Sequence, residues 1–253
     1  MRAVEGMSVL ITGGGSGIGA GAAEHLAGRG ARVTITGRRP DRIEAVAARL
    51  GSGVRAVAGD VTVAADRSAM IGAAAAHGGG LDGVISNAGN MYRGPIDELD
   101  EQALLEVFHT NVVGGMMLVG EALPLLRERQ GCVLFVGSVH TQRAFPGVAP
   151  YAATKGALEA LTGVLAAELG PQGVRVGCVR PGAVFTEINQ RAGLMADDEA
   201  LARLEGLGPA HALGRIGTVE EVAEAFEYLL RAEWATGAVL TVDGGLSLGV
   251  TNA

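Results

Sequence analysis

Two kinds of segment alternate along this 253-residue chain, and this alternation restricts its fold more than any other feature of the sequence. Short runs rich in Val and Ile are separated by longer runs rich in Ala, Leu and Glu. We predict a strand at each short run, because a continuous apolar run of this length is typical of a strand that is buried on both faces. These runs lie at residues 7–12, 31–36, 54–59, 81–86, 132–137, 174–179 and 238–243.

Apolar residues at helical spacing predict the intervening helices, at residues 17–29, 40–50, 63–77, 100–128, 151–169 and 218–231. Glycines mark the ends of four of them, at Gly30, Gly51, Gly131 and Gly170. Strands that feed helices through right-handed crossovers form a parallel sheet covered on both faces. We therefore predict a single α/β domain over residues 1–253, a Rossmann-type doubly wound sheet of about seven strands. The long interval 187–213 has no strand of its own, and we interpret it as a candidate substrate lid.

Composition and charge exclude several classes of protein. Hydrophobic residues make up 48% of the chain and aromatic residues only 4%, so the core is expected to consist of Ala, Val, Leu and Ile. The chain has no uncharged apolar run near the 18 to 20 residues of a membrane span, and its N-terminus lacks a signal-peptide cleavage region, so we expect a cytoplasmic protein without a membrane partner. The net charge of −7 comes from scattered acidic residues, which argues against a nucleic-acid partner. Cys132 and Cys178 lie in predicted strands and are interpreted as buried thiols; no metal site is expected.

A glycine-rich turn, "TGGGSGIG" at residues 12–19, follows the first predicted strand and opens the first helix. Gly13, Gly17 and Gly19 would let backbone N–H groups approach a phosphate at the positive end of that helix, with Ser16 and Ile18 beside them. A purely structural turn is the alternative. The position of the turn between a strand and a helix favours a dinucleotide site.

The end of the second strand bears on the choice of dinucleotide. Folds that bind NAD place an acidic residue here, whereas an arginine accommodates the 2′-phosphate of NADP. This chain has Arg38 and Arg39, followed by Pro40. A guanidinium binds a phosphate through paired N–H groups, so NADP is favoured over NAD. A solvated arginine pair at a helix start is the alternative interpretation.

Two further turns belong to the same predicted edge of the sheet. Asp60 and Val61 follow the third strand, where Asp60 is either a helix cap or a partner for an adenine. Asn87, Ala88 and Gly89 follow the fourth strand, where they form either a plain turn or a close backbone approach to the cofactor.

Ser138, Tyr151 and Lys155 are the candidate catalytic residues. Ser138 closes the fifth strand, and Tyr151 and Lys155 are four residues apart on the next helix, so they share a face. A phenol with an ordinary pKa of about 10 is a poor proton donor or acceptor near neutrality. A neighbouring ammonium favours the phenolate and lowers that pKa, and the hydroxyl of Ser138 can hold the reacting oxygen.

Together these motifs resemble those of the short-chain dehydrogenase/reductase family, in its standard-length branch. The resemblance runs from Ser8 to Gly245 and rests on "TGGGSGIG", "NAG" at 87–89, Asn111 in "HTNVVG", Ser138, "YAATK" at 151–155, "RPGAVFT" at 180–186 and "TGAVLTVDGG" at 236–245. It implies an oxidoreductase that transfers a hydride reversibly between a nicotinamide cofactor and a carbonyl carbon.

The resemblance also implies roles for individual residues. Tyr151 would be the general acid/base, Lys155 would bind the nicotinamide ribose, Ser138 would orient the substrate oxygen, and Asn111 would hold a water in a proton relay. One departure is Ser16, where many NADP-preferring members carry a basic residue. The full set of expected cofactor contacts is Gly13, Ser16, Gly17, Ile18, Gly19, Arg38, Arg39, Asp60, Val61, Asn87, Ala88, Gly89, Tyr151, Lys155, Pro181, Gly182, Val184 and Thr186.

The substrate is less constrained by the sequence. His140 would point to the same side as Ser138 if the chain stays extended; a surface histidine is the alternative. Family members that act on sugars resemble this chain in "SVH" at 138–140 and in an asparagine shortly after Thr186, here Asn189, which implies a sugar or polyol as one candidate substrate. An apolar lining would favour a ketone or an acyl chain instead, and Arg143 is a candidate partner for an anionic group. The residues of that lining are Met91, Phe145, Val148, Leu194 and Met195.

Three functions follow. The first is an NADP-linked carbonyl reductase or alcohol dehydrogenase that acts on a small ketone or secondary alcohol, with a sugar or polyol dehydrogenase as an alternative. The second is a 3-oxoacyl thioester reductase, and the third is a cofactor sensor without catalysis. Small residues on the helix after Tyr151 leave a smooth surface, and members of the family commonly form tetramers, so we expect a homotetramer of 222 symmetry.

Overall fold

The fold is described from a computed structural model, which covers residues 1–186 and 205–249. One sheet of seven parallel strands has the order β3-β2-β1-β4-β5-β6-β7, which confirms the predicted doubly wound α/β fold. The strands are β1 Ser8–Thr12, β2 Arg32–Gly37, β3 Val54–Ala58, β4 Gly83–Ser86, β5 Cys132–Val136, β6 Arg175–Pro181 and β7 Ala238–Val242.

Seven helices of the described chain connect these strands and cover both faces of the sheet. They are α1 Gly17–Ala27, α2 Pro40–Leu50, α3 Ala64–Gly78, α4 Glu101–Phe108, α5 Gly114–Arg129, α6 Ala149–Leu169 and α7 Val219–Arg231. One core cluster packs α1, α2 and α7 on one face, and a second packs α3, α5 and α6 on the other. The strand order reverses between β1 and β4, and ligands of such sheets bind at this switch point, beyond the carboxyl ends of the strands.

The predicted helix at 100–128 is interrupted, which the sequence pattern did not indicate. A π-helical turn, His109–Val113, separates α4 from α5 and buries Asn111. Such turns insert an extra residue into a helix and shift the faces on either side of it. The side chain of Asn111, within this turn, donates to Oγ1 of Thr154 on α6 at 3.0 Å.

Within the described residues, the helical segment Glu101–Arg129 is the one helix long and apolar enough to cross a membrane. Its apolar residues Leu118, Ala122 and Leu126 are fully buried against the sheet. A core helix satisfies the same length and composition test, so this segment is weak evidence for a membrane span.

Only part of the predicted lid can be placed. Residues 187–204 lie outside the described part of the chain, and Gly208–Ala210 forms a short 3-10 turn. Arg143 donates to the carbonyl oxygens of Ala210, at 3.3 Å, and Leu246, at 3.0 Å. Arg143 therefore links the segment around Ala210 to the turn at Leu246. Closure of residues 187–213 over the site stays a prediction.

Candidate active site

A cavity of about 480 Å³ runs along the carboxyl edge of the sheet. The segments that follow β1 to β6 all contribute to its wall, with Leu207 and Leu246 at one end. Parallel strands present all their following loops at one edge, which explains why motifs far apart in sequence meet here.

The glycine-rich turn fits a phosphate. Ser16 precedes α1 with an extended backbone and makes no side-chain cap, and the first helical turn carries no acidic residue. The N–H groups at this helix start, and its positive end, therefore remain suited to an anion. Gly13 lines the cavity with a φ of +68°, and a Cβ there would lie 2.9 Å from Nδ2 of Asn87. Gly17 has a φ of +53°, and a Cβ there would lie 3.0 Å from Thr186.

Gly19 differs from the expectation, because it does not line the cavity. A Cβ at this position would collide with the carbonyl oxygen of Gly13 and lie 2.6 Å from Nδ2 of Asn87. Gly19 therefore permits close packing behind the phosphate turn, whereas the neighbouring Ser16 and Ile18 form part of the wall.

Three arginines line the cavity where β2 ends: Arg38, Arg39 and Arg42. The guanidinium of Arg38 lies 3.8 Å from the carboxylate of Asp60 and is more than half exposed. Asp60 accepts hydrogen bonds from the N–H and hydroxyl of Thr62, at 2.9 and 2.8 Å. Asp60 thus stabilises the turn before α3 and is not the cap of that helix, which begins after Val63. Val61 lies beside it in the wall.

The turn after β4 is tied to the end of β1. The hydroxyl of Thr12 accepts the N–H groups of Asn87 and Ala88, at 3.0 and 2.9 Å. Nδ2 of Asn87 donates to the carbonyl oxygen of Thr12 at 2.8 Å. Asn87, Ala88 and Gly89 all line the cavity, so this turn is both a structural tie and a part of the candidate site.

Ser138, Tyr151 and Lys155 meet in the wall beside Pro181, Gly182, Val184 and Thr186. The ammonium of Lys155 lies 5.4 Å from the centre of the Tyr151 ring and donates to the carbonyl oxygen of Val136 at 2.7 Å. Oγ of Ser138 lies 2.8 Å from Nδ1 of His140. The three side chains that the sequence singled out therefore share one small, buried volume.

The electrostatics of this group correct the simple expectation for Tyr151. Burial raises the pKa of Tyr151 to about 12, and its hydrogen bond with Ser138 opposes this in part. Burial also lowers the pKa of Lys155 to about 8. Desolvation disfavours both charged forms and is the largest cause of both shifts.

Asn111 lies behind the cavity wall, not in it. Its Nδ2 donates to the carbonyl oxygen of Asn90 at 2.9 Å and to Oγ1 of Thr154 at 3.0 Å. Its Oδ1 accepts the N–H of Asn90 at 2.7 Å. Asn111 therefore joins the loop after β4 to α6, and the water relay that the resemblance implies stays a prediction.

His140 lines the cavity, but the backbone that places it there is not extended as expected from the sequence. Residues Val139–Thr141 form a 3-10 turn, so the chain is not extended after Ser138. The imidazole lies 4.9 Å from the ring of Phe145 and 5.5 Å, edge-on, from that of Tyr151. Burial, followed by the charges of Arg93 and Lys155, lowers the pKa of His140 to about 4.

Other substrate candidates divide into three groups. Met91 and Phe145 line the cavity, whereas Val148 does not. Arg143 donates to backbone carbonyls and lies 5.8 Å from the Phe145 ring, so its guanidinium supports the loop instead of facing the substrate end. Asn189, Leu194 and Met195 lie outside the described residues.

Several residues in or behind the site were missed from the sequence. Arg42 and Arg93 line the cavity, and Glu159 supports the turn after Ser138. Glu159 accepts from Oγ1 of Thr141 at 2.7 Å and from both Nε and Nη2 of Arg180, at 2.8 and 2.7 Å. Arg42 continues the basic run at the start of α2, which was a usable signal. Arg93 and Glu159 show no such pattern.

Comparison with known proteins identifies the family. A family model described as enoyl-(acyl carrier protein) reductase matches residues 13–247. The chain belongs to the short-chain dehydrogenase/reductase family. Like other members, it is an oxidoreductase that uses NAD(P) and acts on alcohol or ketone groups.

Similar members of the family act on varied substrates. The chain is 34% identical to (+)-borneol dehydrogenase 1 of Salvia officinalis, over 98% of this chain and 96% of that protein. It is also 34% identical to gluconate 5-dehydrogenase of Gluconobacter oxydans, over 97% of this chain and 96% of that protein. The crystal structure of a 3-ketoacyl-(acyl-carrier-protein) reductase from Brucella melitensis complexed with NADH superposes with a TM-score of 0.88, at 31% identity, over 96% of this chain and 99% of that one.

We predict that Gly13→Ala weakens the binding of NADPH by at least about tenfold. Its methyl group would displace Asn87 and strain a backbone of positive φ. A fluorescence titration measures the dissociation constant. Gly72→Ala is the matched control, because it adds a methyl group in open space within α3 and favours the helix by about 0.5–1 kcal/mol. Equal NADPH affinities in Gly13→Ala and the parent protein would exclude Gly13 from the phosphate site.

Proposed function

We propose that this protein reduces ketones and oxidises secondary alcohols with NADP(H), and that Tyr151 is the general acid/base. One observation carries the proposal: Ser138, Tyr151 and Lys155 line the same cavity as the glycine-rich turn. A helix start without a side-chain cap, a tyrosine beside an ammonium and a serine hydroxyl form the set that hydride transfer to a carbonyl requires.

Each of the three side chains has a distinct task. The Ser138 hydroxyl holds the reacting oxygen, and Oη of Tyr151 exchanges the proton on that oxygen. Lys155 places a positive charge 5.4 Å from the phenol ring and is held there by the carbonyl of Val136. A bound oxidised nicotinamide would supply the acceptor for the hydride of the carbinol carbon, and the loss of that hydride together with the hydroxyl proton would leave a ketone.

The preference for NADP is supported by the charges at the end of β2. Arg38, Arg39 and Arg42 line this part of the cavity, and no acidic side chain lies between Gly37 and Pro40. A 2′-phosphate carries negative charge that these guanidinium groups would bind, whereas a ribose hydroxyl would gain little from them. Asp60 lies 3.8 Å from Arg38 and holds it at the cavity edge.

The substrate is a small molecule in this proposal, handled in the cytoplasm and without a nucleic-acid or membrane partner. His140 beside Ser138 favours a polyol or sugar, and the named substrates of related dehydrogenases include fucose and gluconate. A 3-oxoacyl thioester reductase is the second candidate, supported by the similarity to the Brucella melitensis enzyme and by apolar Met91, Phe145 and Leu207. All four catalytic positions are filled, which disfavours a sensor without catalysis.

The proposal also includes a homotetramer of 222 symmetry. Val113, Met116, Met117 and Val164 expose 42–64% of their surface on the α5 and α6 side. Trp234, fully exposed, and Tyr228, 51% exposed, lie near the edge strand β7. Two separate apolar faces on one protomer suit two kinds of two-fold contact, which is what this symmetry needs.

Replacing Tyr151 by Phe is expected to lower kcat by about 10²- to 10⁴-fold, because the proton path is lost. The dissociation constant of NADPH should stay within about twofold, since the ring is retained. Stopped-flow kinetics and fluorescence titration measure the two quantities. Tyr228→Phe, on the exposed face of α7, is the control for loss of a phenol elsewhere. Retained turnover in Tyr151→Phe would remove Tyr151 from the proton path.

Replacing Arg38 by Ser is expected to raise the dissociation constant of NADPH by about 10- to 100-fold, the value of a charge-assisted hydrogen bond. The affinity for NADH should change by less than about threefold, because NADH has no 2′-phosphate. Titrations of the parent protein and of Arg38→Ser, each with NADPH and with NADH, separate the effect on the 2′-phosphate from any general effect on dinucleotide binding. Tighter binding of NADH than of NADPH by the parent protein would contradict the preference for NADP.

Sedimentation velocity is expected to give a particle of about 102 kDa, four times the 25.6 kDa chain. Met117→Glu and Trp234→Glu each place a charge in one of the two apolar faces and should each give dimers. The double variant should be monomeric. A parent protein that remains a monomer at every concentration would rule out the tetramer.

A further inference from the structure

The cavity has a charge opposite to that of the chain. The chain carries a net charge of −7, yet among the described residues the cavity is lined by five cationic side chains and one carboxylate. The carboxylate is Asp60, and the cations are Arg38, Arg39, Arg42, Arg93 and Lys155. An excess of positive charge in a concave, partly apolar site attracts anionic ligands.

Four of these cations already have tasks in the proposed function. Arg38, Arg39 and Arg42 lie at the end of β2, where the dinucleotide phosphate is expected. Lys155 is bound to the carbonyl of Val136 beside Tyr151. The remaining cation, Arg93, follows β4 and has no task in that scheme.

Arg93 belongs to the catalytic end of the cavity. Its positive charge, together with that of Lys155, contributes to the low pKa of His140, whose imidazole contacts Ser138 and Tyr151. Met91, two residues before Arg93, and Phe145, whose ring lies 4.9 Å from that of His140, line the same cavity. Apolar surroundings strengthen the attraction of a guanidinium for an anion, because they exclude the water that would screen it.

The backbone on both sides of Arg93 is anchored. Asn90 exchanges two hydrogen bonds with the side chain of Asn111, at 2.7 and 2.9 Å. The N–H of Gly94 donates to the carbonyl oxygen of Gly147 at 2.9 Å. Arg93 therefore projects from a loop that is held at both ends, which suits a group that must bind a substrate in a fixed orientation.

We propose that Arg93 binds a carboxylate of the substrate, so that the enzyme acts on oxo acids and the corresponding hydroxy acids in preference to neutral ketones and alcohols. This inference rests on the proposed function and names the substrate class of the same site. Arg93 also takes part in another interaction within the chain. A guanidinium has five N–H donors, so a carboxylate can bind through two of them beside that contact or in exchange for it.

The test compares acids with their neutral counterparts. Reduction rates with NADPH are measured for 3-oxobutanoate, 4-oxopentanoate and 5-oxohexanoate, each against its methyl ester, and oxidation rates for gluconate against glucitol. Cyclohexanone serves as a ketone that has neither a carboxylate nor an ester group. We expect the preferred acid to exceed its neutral partner in kcat/KM by about tenfold or more in the parent protein.

Arg93→Met should lower kcat/KM for that acid by about 10- to 100-fold and change the value for the neutral partner by less than about twofold. Arg93→Lys should retain an intermediate preference, since it keeps the charge and loses the paired geometry. Arg55→Met is the matched control, because Arg55 is exposed on edge strand β3 and lies outside the cavity wall.

Binding gives a readout that does not depend on turnover. Hexanoate should raise the thermal midpoint of the NADPH-saturated parent protein more than hexanamide does, and this difference should vanish in Arg93→Met. An equal loss of kcat/KM for acids and neutral compounds in Arg93→Met would show a structural role and overturn the inference. Turnover of neutral compounds with no preference for acids would overturn the inference alone. Absence of turnover with every compound, with intact NADPH binding, would overturn the proposed function as well.

Discussion

The site depends first on the hydrogen bonds between the carboxyl ends of β1 and β4. The Thr12 hydroxyl accepts hydrogen bonds from two backbone N–H groups of the loop after β4, and the side chain of Asn87 in that loop donates to the Thr12 carbonyl oxygen. These bonds fix the two loops at the point where the strand order reverses, which is where the sheet offers its ligand crevice. They also hold Asn87 against the glycine-rich turn, where its Nδ2 occupies the space that a Cβ at Gly13 would need. A side chain larger than hydrogen at residue 13, or a substitution of Asn87, would therefore disturb both loops.

A second set of hydrogen bonds lies at the catalytic end of the cavity. Asn90 binds Asn111, and Asn111 binds Thr154 on α6, between Tyr151 and Lys155. Each of these amides is buried or nearly so, and a partner left unpaired there costs about 1–3 kcal/mol. The loop after β4 takes part in both sets, through Asn87 beside the phosphate turn and Asn90 on the side of the tyrosine. Within this second set, the buried side chain of Asn111 in the π turn bridges Asn90 and Thr154.

The sequence predicted the fold and most of the cavity for one physical reason. Buried parallel strands are apolar on both faces, so they stand out as runs, and residues that follow them must lie at one edge of the sheet. That reasoning places Ser138, Asn87 and Arg38 without any contact information. It fails where position depends on packing: the π turn at Asn111, the 3-10 turn that brings His140 back to Ser138, and Arg93, which follows no period. It also fails for the pKa of Tyr151, because the desolvation that raises it is a sum over neighbours from several elements.

Desolvation acts on the whole catalytic end in one direction, toward neutral groups. It raises the pKa of Tyr151 to about 12, lowers that of Lys155 to about 8 and lowers that of His140 to about 4. In such surroundings a charge that arrives with a ligand has a large effect, because little water is present to screen it. An oxidised nicotinamide is positive and would favour the phenolate of Tyr151, so it would oppose the effect of burial on the pKa of that residue. A substrate carboxylate at Arg93 would oppose only the smaller, electrostatic part of the shift in the pKa of His140, because burial is its main cause.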